Sequence, residues 1–218
     1  MAELRTEEEQ IQALKSWWDE NGKSLFLGVA VALAAVLGWK GWQSQQAAQA
    51  ENASVLYQNL LDAVVGALGP QLDDAKLATA NHLNGQLKDE YEGSAYANYA
   101  AMIMARVAVD QKDLDKAVAE LDYVLANQPT ESMFILATLR KARIVASQGN
   151  VDQALNLVNG APVGGYKATI EELKGDLYLS QGNTDAARKA YQQASESAAA
   201  GSRPLLDMKL NNLAAEES

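Results

Sequence analysis

Residues 147–154, SQGNVDQA, form a turn string that returns 33 residues later as SQGNTDAA at residues 180–187. Residues 111–117, QKDLDKA, occupy the equivalent place one period earlier. Glycine readily adopts the left-handed backbone conformation that ends a helix, and asparagine is a favourable residue for beginning the next one. The repeated string therefore predicts a series of helical hairpins built to one plan.

Helical patterns flank each of these turns. The predicted first helices cover residues 99–109, 135–146 and 170–179, and the predicted second helices cover residues 114–126, 151–158 and 184–198. A small residue near the start of each second helix would let the two helices of a hairpin approach closely. The residues expected to define the repeat are these alanines, two turn glycines and the proline after the first hairpin: Ala117, Ala154, Ala187, Gly149, Gly182 and Pro129.

These hairpins resemble tetratricopeptide repeats, whose period is about 34 residues. The resemblance is partial, because Gly175 is the one glycine in its expected place in a first helix and Lys112 stands where the first turn would have glycine. The middle hairpin also has a short second helix that ends at residues 159–162, NGAP. The resemblance implies an all-α solenoid of helical hairpins that binds other proteins.

Helices are also predicted on both sides of the repeats. Residues 47–68 are expected to form a long helix broken at Gly69-Pro70, and residues 73–87 a second one, so that together they make an atypical first hairpin. Residues 205–214 are expected to form a final helix. Repeat arrays need such a capping element to cover the apolar face of the last hairpin.

An uncharged stretch, SLFLGVAVALAAVLGW, runs from residue 24 to residue 39 between Lys23 and Lys40. Its 16 residues fall short of the roughly 20 that cross a hydrocarbon core, but flanking side chains extend it. Lysine side chains reach outward to the headgroups, and Trp39 and Trp42 suit the membrane–water interface. The sequence therefore predicts a transmembrane helix over residues 23–42 that contacts the lipid bilayer.

An apolar run of this length also occurs in soluble cores and in signal peptides. A buried helix of a soluble core is disfavoured, because no polar face interrupts the apolar run. A cleaved signal peptide is also disfavoured, since the 23 residues before the run carry six acidic side chains, whereas signal peptides begin with a short basic segment. The small-residue string Ala48-Gln49-Ala50 lies well beyond the run. An uncleaved anchor is the expectation.

The distribution of basic residues predicts the orientation. Arg5, Lys15 and Lys23 precede the uncharged stretch, whereas Lys40 is the one basic residue between it and residue 60. Since the more basic side stays in the cytoplasm, residues 1–22 are expected to be a cytoplasmic tail and residues 43–218 a domain outside, in the periplasm of a Gram-negative bacterium. The tail is expected to form a short amphipathic helix that ends near Asn21-Gly22.

Composition excludes several classes of function. The chain has no cysteine and one histidine, His82, so thiol chemistry and a histidine-rich metal site are not expected. A net charge of −10 disfavours nucleic acid as a ligand. No phosphate-binding glycine loop is present. We expect no catalytic residue, no metal site and no cofactor. A group of tyrosines and methionines could be either an exposed apolar binding site or core: Tyr91, Tyr96, Tyr99, Met102 and Met104.

The order of segments resembles one bacterial family, the ancillary subunits of the SecYEG translocon. The most specific parts are Glu20-Asn21-Gly22-Lys23 at the entry to the span, Gly38-Trp39 at its exit and the ending MKLNNL at residues 208–213. The resemblance implies a single-span inner-membrane protein that associates with SecYEG and with a membrane-anchored periplasmic chaperone of the PpiD type.

The function expected from this resemblance is a non-enzymatic, membrane-anchored adaptor. It would link newly translocated proteins, including unfolded secretory chains, to periplasmic chaperones through the repeat domain. Tethering raises effective concentration, so weak contacts at the exit of a channel become useful. The alternative is a periplasmic scaffold for envelope assembly or cell division that uses the same repeats on folded partners.

Overall fold

A computed structural model describes residues 7–67, 73–127, 129–198 and 203–215. Over these ranges the chain is helical and contains no strand, which confirms the all-α prediction. The helices are α1 (Glu7–Ala67), α2 (Asp74–Glu90), α3 (Ala95–Asp110), α4 (Leu114–Ala126), α5 (Glu131–Ser147), α6 (Val151–Asn159), α7 (Lys167–Ser180), α8 (Thr184–Ser197) and α9 (Pro204–Ala215), with a 3-10 turn at Gly164–Tyr166. The expected break at Gly69-Pro70 lies outside the described residues.

The chain divides into two units, residues 1–52 and residues 53–218. In the first unit the described residues form a single helix, and from residue 9 onward its side chains are exposed apart from Asn21 and Gly22. An apolar window in α1 is long enough to cross a membrane, and 6% of that window is buried within the protein. A core helix would be mostly buried, so this window needs an apolar surrounding from elsewhere.

The expectation that a tail helix ends near Asn21-Gly22 is wrong, because α1 continues through both residues. The amide Nδ2 of Asn21 donates to the Trp17 carbonyl at 3.1 Å, and the Ser24 hydroxyl donates to the Asn21 carbonyl at 3.0 Å. These polar side chains bond to the carbonyls of their own helix instead of ending it. The Trp18 indole lies over Gly22, where an added Cβ would stand 3.2 Å from the ring.

The three repeated turns have one hydrogen-bond pattern. In the second turn the Gly149 amide donates to the Ala146 carbonyl at 2.9 Å, and the Asn150 amide donates to the Val145 carbonyl at 3.1 Å. The other two turns repeat both bonds, and the residues at the glycine position have φ of 64° at Lys112, 90° at Gly149 and 75° at Gly182. Lys112 therefore holds a left-handed conformation that costs a side-chain-bearing residue about 1–2 kcal/mol.

Side-chain caps begin most of these helices. Asp113 accepts from the Lys116 amide at the start of α4, and Asn183 accepts from the Ala186 amide at the start of α8. Asn150 stands at the same position before α6, but its side chain makes no capping bond. The expected asparagine cap thus forms in the third hairpin and not in the second.

Each hairpin has a small residue on its first helix and a larger one on its second at equivalent repeat positions. In the first hairpin Ala105 and Leu121 lie in one apolar cluster, and in the second Ala142 and Val158 lie in the next. The third hairpin has the smallest and the largest residue at these positions, Gly175 and Tyr191. A Cβ added to Gly175 would stand 2.3 Å from a carbon of the Tyr191 ring, so the ring occupies the space that a side chain would need.

The apolar core is a row of clusters instead of a single centre. One cluster joins the end of α1 with α2 and α3, the next joins α3, α4 and α5, the third joins α5, α6 and α7, and the last joins α8 and α9. The repeat alanines Ala117, Ala154 and Ala187 are fully buried in this row. Each hairpin therefore depends on its neighbours to cover its apolar faces, as in other repeat proteins.

The substitution Gly175→Ala tests the close contact in the third hairpin. We expect it to lower the free energy of unfolding by about 3 kcal/mol, because overpacking displaces the Tyr191 ring. Urea unfolding of the full chain in detergent, followed by helical circular dichroism, measures the loss.

Gly85→Ala is the matched control, since Gly85 lies inside α2 with no atom within 4 Å of an added Cβ. That change should stabilise the helix by about 0.5–1 kcal/mol. The double variant with Tyr191→Leu should recover part of the loss, because it recreates the Ala105–Leu121 pairing. Purely additive losses would contradict the proposed contact.

Candidate interaction surface

A groove lies between the first helices of the first two hairpins, α3 and α5. It consists of two adjoining cavities of about 380 Å³ and 290 Å³, and Arg140 lines both. Tyr57 of α1 and Leu121 of α4 also reach the lining. Because the α3 and α5 residues concerned recur every three or four positions, one face of each helix lines the groove. We call this surface the α3–α5 groove.

The floor of the α3–α5 groove is apolar and its edge is basic. Its apolar lining includes Met102, Ile103, Val109, Met133, Leu136 and Ile144. Its charged lining consists of Arg106, Arg140 and Arg143, which are three of the chain's six arginines. No carboxylate of the described residues lines either cavity. This lining differs in sign from the chain as a whole, which carries a net charge of −10.

Three tyrosines gather at one end of the α3–α5 groove. The ring centroids of Tyr57 and Tyr96 are 5.7 Å apart, and those of Tyr57 and Tyr99 are 6.2 Å apart. Burial raises the pKa of Tyr57, and the neighbouring Tyr99 raises it further. Tyr99 keeps 45% of its surface exposed, so this end of the groove presents an accessible aromatic ring.

The sequence left open whether a group of tyrosines and methionines forms a binding site or the core. In the structure some of them are core and others line the groove. Met104 is fully buried, and Tyr91 and Tyr96 are half-buried against the first cluster. Met102 is 8% exposed and lines the α3–α5 groove together with the exposed Tyr99. Most of the set is therefore core, and its two groove members lie one helical turn apart on α3.

A buried polar link joins α2 to α4. The carboxylate of Glu120 is almost fully buried, accepts from the amide Nδ2 of Asn84 at 3.0 Å and pairs with the ammonium group of Lys88 at 3.1 Å. The Lys88 nitrogen also stands 4.8 Å from the centre of the Tyr123 ring. Burial, followed by the charge of Glu92, raises the pKa of Tyr123. This link fixes the first hairpin against α2, because removing one partner would leave a buried charge unpaired.

Hydrogen bonds also link successive turns. The Gln148 side chain of the second turn donates to Asp115 of the first hairpin at 3.0 Å, and the Gln181 side chain of the third turn donates to Asp152 at 2.7 Å. Both pairs are exposed, so each contributes little free energy. Their recurrence at equivalent positions shows that the hairpins stack in one register.

An ion-pair cluster holds the last helix, α9, in place. The ammonium group of Lys209 lies 3.0 Å from Glu172 and 2.6 Å from Asp176, both on α7. Arg203, just before α9, also pairs with Glu172, and the buried Tyr191 hydroxyl donates to Asp176 at 2.7 Å. We call this group the α9 clasp. Its partners come from inside the chain, so it is a structural cluster.

The charges in the α9 clasp shift one another's pKa values. Burial raises the pKa of Glu172, but hydrogen bonds and charge from Lys209 and Arg203 together lower it by more, so the net pKa falls below 4.5. Burial lowers the pKa of Lys209, but hydrogen bonds from Asp176 and Glu172 raise it to a net value above 10.5. Burial and Asp176 raise the pKa of Tyr191. Glu172 and Lys209 are therefore ionised at neutral pH, whereas Tyr191 keeps its proton.

The residues expected to flank a membrane span are exposed on α1. Trp39 is 63% and Trp42 is 54% exposed, and their ring centroids lie 5.1 Å apart. Lys23 and Lys40 are exposed as well. Exposed tryptophans at the end of a long apolar run suit a membrane interface.

No cluster of histidine or acidic residues that could hold a metal ion occurs in the described ranges. His82 is exposed on α2. Pro129 lies between α4 and α5, just before Thr130, which caps α5 through the Met133 amide. The repeat glycines and alanines therefore shape and pack the hairpins, and the exposed side chains that could bind a partner lie at the α3–α5 groove.

Sequence reasoning missed the arginines of the α3–α5 groove. Arg106 and Arg143 lie 37 residues apart, which is also the distance between Lys112 and Gly149 at equivalent turn positions. Aligning the hairpins on their turns would have shown two arginines at the same repeat position. The third equivalent is Asp176, so the basic character ends where the α9 clasp begins.

The geometry defines an all-α array of helical hairpins with a helix that could span a membrane before it. The model of the tetratricopeptide repeat-like domain family matches residues 15–215. A thermophilic TPR protein of Thermus thermophilus has a TM-score of 0.47 and 20% identity, with 63% of this chain and 72% of that chain covered. The family match includes most of α1 and the repeat domain.

Three relatives are named ancillary SecYEG translocon subunits. The protein of Aggregatibacter actinomycetemcomitans is 32% identical over 98% of this chain and 100% of its own length. The protein of Escherichia coli is 31% identical over 95% and 96%, and that of Haemophilus influenzae is 30% identical over 98% and 100%. The chain therefore belongs to the tetratricopeptide repeat-like family of ancillary SecYEG translocon subunits.

Acid should loosen α9 before it unfolds the rest of the repeat domain. A carboxylate whose pKa is lowered on folding stabilises the fold above its unfolded pKa, and this contribution is lost as the pH falls through the folded value. For Glu172 the loss therefore begins below about pH 4.5. Hydrogen exchange of the α9 amides, corrected for intrinsic rates, should show falling protection between about pH 5 and pH 3.

Glu172→Gln removes the titrating group and should lower α9 protection at neutral pH. It should also remove most of the dependence on pH in that range. The i,i+3 pair between Lys174 and Glu171 provides a control on the same helix that does not contact α9. If Glu171→Gln had the same effect as Glu172→Gln, the clasp would not be the cause.

Proposed function

We propose that this chain is a non-enzymatic, membrane-anchored adaptor at the SecYEG translocon. It links newly translocated proteins to periplasmic chaperones of the PpiD type through its repeat domain. The observation that carries this proposal is the extent of the similarity to ancillary SecYEG translocon subunits, which covers 98% of the chain and includes both the apolar helix and the repeats.

The geometry fits an adaptor better than a catalyst. The accessible part of the α3–α5 groove is an open, apolar surface with arginines at its edge. The largest pKa shift among the described residues is that of Tyr191 in the α9 clasp, whose groups pair with one another inside the chain. Adaptor surfaces bind by area and charge, and tethering such a surface near a channel raises its local concentration.

The proposed arrangement places residues 1–22 in the cytoplasm, residues 23–42 in the inner membrane and residues 43–218 in the periplasm. The excess of basic residues before the span supports this orientation, with Arg5, Lys15 and Lys23 on the N-terminal side. The exposed apolar window of α1 supports the span itself. With this orientation the α3–α5 groove lies on the side where translocated chains emerge.

Single cysteines test this orientation, because the chain has none of its own. Gln12→Cys lies on the N-terminal part of α1, and Lys189→Cys lies on α8, both at exposed positions. In spheroplasts a membrane-impermeant maleimide should label only the cysteine at position 189, and lysis should make the one at position 12 reactive. The opposite labelling pattern would show that the topology is inverted. Labelling of both cysteines in intact spheroplasts would contradict a membrane span between them.

Purification of the full chain in mild detergent tests the adaptor role. We expect translocon subunits and a membrane-anchored periplasmic chaperone to be recovered together with it. A matched control replaces residues 24–39 with an unrelated apolar span and leaves the repeat domain unchanged.

If the control keeps the chaperone but loses the translocon, the native span contributes to translocon recognition. Recovery of envelope-assembly or cell-division proteins without any translocon subunit would contradict the proposal and favour a periplasmic scaffold.

A further inference from the structure

The α3–α5 groove has an electrostatic character that the rest of the chain does not share. The chain has 28 acidic and 18 basic residues, so a randomly chosen surface patch is expected to be acidic. The described lining of the groove instead contains three arginines and no carboxylate. A basic ligand would find no carboxylate in this lining, whereas an acidic ligand would find arginine side chains.

Two of these arginines have no partner within the described part of the chain. Arg106 forms a bidentate pair with Asp110 one turn away, at 2.9 Å and 3.0 Å. Arg140 and Arg143 are exposed on α5, and the structure gives neither an ion pair nor a side-chain hydrogen bond. They are three residues apart and so lie on the same side of the helix. Their guanidinium groups are free to bind carboxylates in a bidentate way.

The apolar floor of the groove limits the kind of ligand that can use these arginines. Along α3 the lining extends from Tyr99 to Val109, which is about 15 Å of helix. That length matches four or five residues of extended chain, at about 3.3 Å per residue. A small anion would leave the methionine, isoleucine and leucine side chains of the floor uncovered. A peptide segment would cover the floor and reach the arginines at once.

We infer that the α3–α5 groove binds a segment of a partner protein in which apolar side chains alternate with carboxylates. The apolar side chains rest on Met102, Met133 and Leu136, and the carboxylates pair with Arg140 and Arg143. This inference deepens the proposed function, since it states which chemistry the adaptor selects in a bound chain. Specificity comes from charge, because the chain as a whole is acidic whereas the described lining of this groove is basic.

The test uses the full chain in detergent and three fluorescein-labelled peptides of about 12 residues, long enough to exceed the groove. Leucine and phenylalanine alternate with glutamate in the first peptide, with glutamine in the second and with lysine in the third. Fluorescence anisotropy should show the tightest binding for the glutamate peptide. Because charge pairing contributes to the affinity, added salt should weaken that binding.

The double variant Arg140→Glu, Arg143→Glu should bind the glutamate peptide roughly tenfold more weakly or worse. Lys189→Glu is the matched control, because Lys189 is an exposed basic residue on α8 outside the groove. The milder pair Arg140→Gln, Arg143→Gln should give an intermediate loss. Circular dichroism melting checks that each variant is folded.

Three outcomes would overturn the inference. The first is that the lysine or glutamine peptide binds as tightly as the glutamate peptide. The second is that the arginine variants bind the glutamate peptide as tightly as the wild type does. The third is that the glutamate peptide does not bind while short-chain phosphatidylglycerol does, which would make the groove a lipid headgroup site.

The adaptor role can fail separately. If the chain recovers the translocon but does not bind the glutamate peptide, the adaptor role stands and the groove inference is wrong. If the chain binds the peptide but recovers no translocon subunit, the groove inference stands and the adaptor role is wrong.

Discussion

The close approach of the two helices within each hairpin is the contact on which the repeat domain depends. It requires a small residue on the first helix opposite a larger one on the second. The size difference is largest in the third hairpin, where the Tyr191 ring fills the space beside Gly175. That position of the ring also brings its hydroxyl to Asp176, where Lys209 of α9 binds. The pairing inside one hairpin therefore positions the clasp that closes the array.

The repeat pattern allowed the hairpins to be predicted from the sequence, because turn residues act locally. Gly149 and Gly182 have positive φ values, and the bounds of the six repeat helices agree with the expected ranges within a few residues. The prediction at Asn21-Gly22 was wrong because contacts within the helix override the local preference of these two residues. Those residues end helices when nothing competes, but here Asn21 and Ser24 bond to carbonyls of α1 and Trp18 covers Gly22.

The candidate site was harder to predict, because it combines residues from separate helices. Arg106 and Arg140 are 34 residues apart and line the same surface only once α3 and α5 lie side by side. Likewise, nothing in the local sequence of Lys209 indicates that it will contact Glu172, 37 residues earlier. Local patterns specify turns and helix faces, whereas the pairing of charges across helices depends on the stacking of hairpins, which a single sequence does not display.

The row of separate apolar clusters has a mechanical consequence. In a globular core, a pull on one end loads every element at once, and the whole domain yields together. Here each apolar cluster bridges only neighbouring helices, so tension applied at α9 would first break the α9 clasp to α7 and the contacts of α8 with α9, and would reach the preceding hairpin only afterwards. A domain of this kind can lengthen in steps under load while the hairpins nearer α1 stay folded.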